Sequence, residues 1–146
     1  MNTTPLAAKT QLLVIEDNPA DVALLRHALA GAGVECQLTV IDDGADAMTF
    51  FRQTGATLEA PQAPDLAIVD LNLPKHSGLE IIEQMRANPR FAEVPIVILT
   101  SSSSQRDRAR MEKFLVKRYI VKPADLGEFM KVGFQIRELL LQTRST

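Results

Sequence analysis

Four apolar runs in this chain end in polar residues of the kinds that bind metal ions and phosphate. Glu16-Asp17 closes Leu12–Ile15, and Asp70 sits near the end of Leu66–Leu71 with Asn72 just beyond. Thr100 and the tract Ser101–Ser104 close Ile96–Leu99, and Lys122-Pro123 closes Tyr119–Val121. Singly, each reads as a helix cap or a solvated loop end, but together they offer three carboxylates, a hydroxyl and an ammonium at equivalent places. Three acids brought to one edge repel unless a cation or a proton relieves them. Hard oxygen donors with no His or Cys ligand beside them select Mg²⁺, with Mn²⁺ possible, over zinc. A carboxylate next to such an ion is a competent nucleophile for phosphorus and yields an aspartyl phosphate. Transfer then needs positioning and neutralisation of the phosphoryl oxygens. Asp70, on the central run, is the candidate acceptor; Glu16 and Asp17 are candidate metal ligands, and Thr100 and Lys122 candidate contacts to the phosphoryl group.

These residues meet only if the runs are neighbouring strands, and the rest of the sequence supplies the connections. Asn18-Pro19-Ala20-Asp21 opens a helix with a cap, a proline at the first position and a first-turn acid. Val22, Leu25, Ala28, Leu29 and Ala32 give that helix one apolar face before Gly31 and Gly33 end it. Leu38–Ile41 reads as a second strand and Ala45–Arg52 as a second helix with Ala47, Met48 and Phe51 inward. Further helices are expected over Gly78–Arg86, inward through Leu79, Ile82 and Met85, over Gln105–Leu115 and over Asp125–Leu141. Five strands alternating with five helices imply right-handed crossovers and a parallel sheet covered on both faces. In such a sheet ligands bind beyond the carboxyl ends of the strands. Thr54–Pro64 is the one aperiodic stretch, an extended loop, and residues 1–10 read as a loose leader before a single domain over 11–142.

Length and composition narrow the field. The chain has 146 residues, one domain's worth, with 46% hydrophobic and 23% charged residues, which argues against disorder. Sixteen Lys and Arg against eighteen Asp and Glu give a net charge of −2, unlike the basic excess of a nucleic-acid binder. One cysteine, Cys36, rules out an internal disulfide framework and a multi-cysteine zinc site. No membrane-spanning run and no signal peptide are evident, so a cytoplasmic location without membrane or nucleic-acid partners is expected.

With these residues in place, the sequence resembles the receiver domain of bacterial two-component response regulators over about residues 11–142. Glu16-Asp17-Asn18, the run from Asp70 to Glu80 (DLNLPKHSGLE), Thr100-Ser101 and Tyr119–Pro123 carry the likeness. The resemblance implies a flavodoxin-like fold with strand order 2-1-3-4-5. It implies that Asp70 accepts phosphate from a phosphohistidine on a sensor histidine kinase. Glu16, Asp17, Asp70 and the main-chain carbonyl of Asn72 would hold the metal; Thr100 and Lys122 would contact the phosphoryl group, and Thr100 and Tyr119 would switch. Such a protein is a signalling phosphoacceptor rather than an enzyme, although it assists its own phosphorylation and dephosphorylation. Two departures, the long loop Thr54–Pro64 and Phe114–Arg118 in place of the usual Gly-Ala pair, resemble the stand-alone regulators paired with phytochrome-type kinases.

Other features have plainer readings. Cys36 is a small buried hydrophobe, His27 is solvated, and the serine tract caps the fourth helix. His76 lies close enough to Asp70 to tune a phosphoryl group. Arg106, Arg108, Arg110, Lys113, Lys117 and Arg118, offset by Asp107 and Glu112, read as a solvated helix face, with a partner-docking surface as the second reading. On the last helix, Leu126, Phe129, Met130, Gly133, Ile136 and Leu140 share a core arc, widened by Val132 and Leu139 on one side and Phe134 and Leu141 on the other. That sector spans about 220°, against the roughly 100° that one core requires. The surplus points to a homodimer through the fourth helix, fifth strand and fifth helix. With no residues left after the last helix for an output domain, the expected output is protein contact. Three other functions fit these residues less well. A phosphorylation-independent scaffold would have lost one of the five site residues. An aspartyl phosphohydrolase would carry an acid where Asn72 stands. A flavin carrier would not place Glu16-Asp17 against the flavin phosphate.

Overall fold

Strand and helix alternate five times over the residues that the computed structural model describes, 10–53 and 63–144. In chain order they are β1 (Thr10–Ile15), α1 (Pro19–Gly31), β2 (Cys36–Ile41), α2 (Gly44–Gln53), β3 (Leu66–Val69), α3 (Gly78–Ala87), β4 (Ile96–Thr100), α4 (Gln105–Glu112), β5 (Arg118–Val121) and α5 (Leu126–Arg144). All pairings are parallel, and the order across the sheet is β2-β1-β3-β4-β5. This is the flavodoxin-like order that the resemblance implied. Thr10 already pairs with Cys36 in β1; the other leader residues, 1–9, lie outside the described residues, as does most of the expected loop (54–62).

Side chains alternate across the sheet and build two cores. Leu12, Val14, Leu66, Ile68, Val97 and Leu99 face α1 and α5, while Leu13, Ile15, Ala67, Val69, Ile96 and Ile98 face α2 and α3. Strands buried on both faces need continuous apolar runs, which is why these read as blocks in the sequence. Helix α1 starts as its residues dictate: Asn18 Oδ1 accepts from the Ala20 and Asp21 amides and Pro19 fills the first position. It lies so close to α5 that a Cβ on Gly133 would stand 2.1 Å from the Ala28 carbonyl oxygen. Cys36 is half-buried against the first core rather than fully buried.

Three helix expectations need correction. Helix α4 stops at Glu112, three residues short of Leu115. Phe114 and Val116 pack against the second core, so the chain must leave the helix to bring both inward. Leu115, between them, is driven into the left-handed region at φ 59° and stands exposed. Arg86 fastens this corner: its guanidinium donates to the carbonyls of Phe91, Ala92, Val94 and Phe114 at 2.8–3.1 Å. The second correction is Leu126, which is 59% exposed. Side chains tilt toward a helix's amino terminus, so at the first position of α5 it points past the sheet. Phe129, Val132, Ile136, Leu139 and Leu140 fill the core, and Phe134 and Leu141 remain outside it. Ile81, absent from the expected inner face of α3, is fully buried, while Leu79 is partly so.

Candidate functional site

Parallel strands in register bring their carboxyl ends to one edge, and the polar residues that follow them converge there. Asp70 comes directly after β3, its amide donating to the Ile15 carbonyl, so that it stands beside the end of β1. Helix α3 begins immediately below: a Cβ on Gly78 would come within 2.6 Å of Leu71 Cα and 2.8 Å of the Asp70 carbonyl oxygen. Only glycine lets the helix start so near the acceptor loop, and Ser77 and Glu80 close that start with a reciprocal capping box.

Lys122 organises the carboxylates. Its ammonium lies 2.7 Å from Glu16 Oε1, 2.6 Å from Asp21 Oδ2 and 2.8 Å from Asp70 Oδ2, so its three N–H donors have three acidic acceptors. Burial alone would lower the Lys122 ammonium, but the hydrogen bonds to Asp21, Asp70 and Glu16 raise it above its ordinary value. The lysine is therefore a permanent cation. Burial pushes Glu16 the other way, up to about 7; the nearby Asp70 charge adds to this, and the bonds from Lys122 and the Asn18 amide oppose it. Behind these acids lies a cavity of about 10 Å³ against Val14, Leu25, Ile68 and Leu99. That is about the space of one water, so the carboxylates rest on packed hydrocarbon.

Glu16, Asp17 and Asp70 each offer an oxygen within 4.8 Å of the others, with Asp17 the most open of the three. An all-oxygen set at this spacing fits a hard divalent cation. On the other side, Thr100 is fully buried at the end of β4. Asn72 Nδ2 donates to Thr100 Oγ1 at 3.3 Å and to Ser101 Oγ at 3.2 Å, and the Asn72 amide donates to Asp70 Oδ1 at 3.0 Å. Ser104, the last of the serine tract, caps α4. Tyr119 is half-buried on the edge strand; its hydroxyl donates to the Ser102 carbonyl at 2.9 Å and Arg108 lies 4.6 Å from its ring centroid. His76 pairs with Glu80 at 3.3 Å, within its own helix start.

The structure thus brings together Glu16, Asp17, Asp70, Asn72, Thr100 and Lys122, and sets Tyr119 one loop away. Sequence reasoning missed two participants. Asp21 was explained fully as a first-turn acid of α1, and the Asn72 side chain was overshadowed by its carbonyl. Another cavity, of about 630 Å³, lies at the opposite edge of the sheet near Pro64, Arg90, Pro95 and Lys117 and shares no residue with this site. Among the described residues no helix is long and apolar enough to cross a membrane.

A doubly wound sheet with clustered acids, a lysine and a threonine at its carboxyl edge is the architecture of signalling receivers. The chain belongs to the response regulator receiver domain family, whose model matches residues 12–132. It is 32% identical over 132 residues to the response regulator Rcp1 of Synechocystis sp., covering 90% of this chain and 89% of Rcp1. Among solved structures it resembles the phosphorylated cyanobacterial phytochrome response regulator RcpA, with a TM-score of 0.79, 34% identity, and 93% and 96% of the two chains covered. The Mn²⁺-bound form of Rcp1 gives a TM-score of 0.77 at 31% identity, covering 92% and 96%. These relatives bear out the likeness to phytochrome-associated regulators. The receiver family is a family of two-component signalling proteins.

Proposed function

We propose that this chain is a phosphoacceptor whose Asp70 receives a phosphoryl group from a sensor histidine kinase, of the phytochrome type, and signals through protein contacts. The observation that carries this reading is Asp70 held 2.8 Å from Lys122 within the oxygen cluster of Glu16 and Asp17. A carboxylate oxygen of Asp70 forms the new bond to phosphorus while the bond from phosphorus to the donor imidazole nitrogen breaks, its electron pair leaving with the ring. Lys122 binds one phosphoryl oxygen and Thr100 another. Glu16, Asp17, Asp70 and the Asn72 carbonyl are the residues that would hold Mg²⁺, which supplies charge neutralisation at the transferring group. The added charge of about −1.5 to −2 then draws Thr100 inward and releases Tyr119 from its place against Ser102 and Arg108. RcpA is known in phosphorylated form and Rcp1 with Mn²⁺, which supports both parts of this reading. The exposed Phe134 and Leu141 support a homodimer through α4, β5 and α5.

The test is intact mass after incubation with Mg²⁺ and acetyl phosphate, with Asp70→Asn and a chelated sample alongside. One phosphoryl adduct, lost in both controls, is expected. No adduct from acetyl phosphate or from a panel of phosphorylated sensor kinases would overturn the reading in favour of a phosphorylation-independent scaffold.

A further inference from the structure

We propose that Asp21 is a positioning residue for phosphoryl acceptance, anchoring the Lys122 ammonium from α1 while the other two partners of that ammonium are reassigned. The inference rests on the phosphoacceptor reading above. The ammonium has three N–H donors and three acceptors, Glu16, Asp21 and Asp70. Glu16 and Asp70 belong to the oxygen cluster suited to a metal, and Asp70 also takes the phosphoryl group. Asp21 stands outside that cluster and has neither duty. It is the one acceptor whose bond to Lys122 survives every stage of the reaction.

Its backbone is also held independently of such changes. Asp21 is the third residue of α1, with Asn18 Oδ1 bonded to its amide and Pro19 two residues before it. That helix is clamped on α5 at Ala28 and Gly133. A lysine ammonium is a compact charge on a flexible four-carbon stem. Held from α1, its remaining donors stay aimed at Asp70 when the reacting oxygens arrive. Released, it follows whichever charge is nearest. Asp21 also places a negative charge near an incoming dianion, so a purely electrostatic role predicts the opposite sign, with faster acceptance once the charge is removed.

Two variants separate these roles. Asp21→Asn loses the charge but keeps an acceptor oxygen at the same reach; Asp21→Ala loses both. Both forfeit the same interaction with the helix dipole, so any effect on α1 itself is shared. The experiment follows adduct formation from acetyl phosphate at saturating Mg²⁺ by intact mass, with the Mg²⁺ midpoint measured for each variant. In the step, an Asp70 oxygen bonds to phosphorus, the bond from phosphorus to the acetyl oxygen breaks and acetate departs with the electron pair, with no proton exchanged. The expected result is acceptance within about threefold of the parent for Asp21→Asn and ten- to a hundredfold slower for Asp21→Ala, the scale of a misplaced reacting group, with a common Mg²⁺ midpoint. Proton–nitrogen NMR of the Lys122 ammonium gives a readout independent of reaction. Its signal should persist in the parent and Asp21→Asn and broaden by exchange with water in Asp21→Ala. Equal or faster acceptance in Asp21→Ala, or an unchanged ammonium signal, overturns the proposal. Absence of an adduct on the parent chain itself, with the ammonium signal still dependent on Asp21, instead identifies the phosphoacceptor reading as the failure and withdraws the proposal with it.

Discussion

A carboxylate buried beside other acids holds its proton more tightly than one in water, and Glu16, pushed up to about 7, is such a group in the metal-free protein. Because its folded value lies above the ordinary 4.5, its contribution to stability is fully present below pH 4.5 and is lost as pH rises through about 7. Thermal melts without metal should therefore show the parent losing stability relative to Glu16→Gln across that interval; a constant difference would refute the assignment. Thr100→Ala tests a different residue: it should still accept a phosphoryl group at Asp70 but leave dimerisation and partner affinity unchanged by phosphorylation, read by sedimentation and titration. Convergence of Glu16, Asp70, Thr100 and Lys122 was legible because each terminates an apolar run and parallel strands align their ends. The Asp21–Lys122 pair was not, because it joins residues 101 apart in sequence and the acid already had a local explanation in its helix.

Helices carry the next level of prediction. Ala28 and Gly133 bring the backbones of α1 and α5 together, and Gly133→Ala places a methyl carbon where the Ala28 carbonyl stands. The helices must separate, at a cost of about 1–3 kcal/mol, measurable as a shift in the denaturant midpoint with unchanged slope. On the outward side of α5, Phe134 is 56% exposed and Leu141 44%. Phe134→Glu should give a monomer at concentrations where the parent sediments as a dimer. A parent that stays monomeric with and without phosphorylation would remove the dimer. Apolar periodicity revealed that α5 had more hydrocarbon than one core could use, but not that Leu126 would lie past the sheet. Nor could it end α4 at Glu112, since that end is set by Phe114 and Val116 reaching the core.

Across the whole molecule, a ligand that binds only the folded chain adds to its stability in proportion to the logarithm of its concentration. At a hundred times its dissociation constant, Mg²⁺ should add about 2.7 kcal/mol. For a chain of this size that is a rise of roughly 5–10 °C in Tm. Asp17→Asn with Asp70→Asn should abolish the rise without unfolding the protein. The alternation of strands and helices was plain in the sequence, whereas the strand order came from the family likeness, because periodicity carries no information on which strands are neighbours. One long-range device was invisible on both counts: the guanidinium of Arg86 grips four main-chain carbonyls spread from Phe91 to Phe114. Carbonyls are common to all twenty amino acids, so those bonds do not depend on side-chain identity; Phe91, Val94 and Phe114 are constrained instead by the second core, which leaves Ala92 the gripped position freest to change. Descendants of this chain could rewrite the corner's exposed positions while Arg86 and the side chains it shares with the core keep its shape.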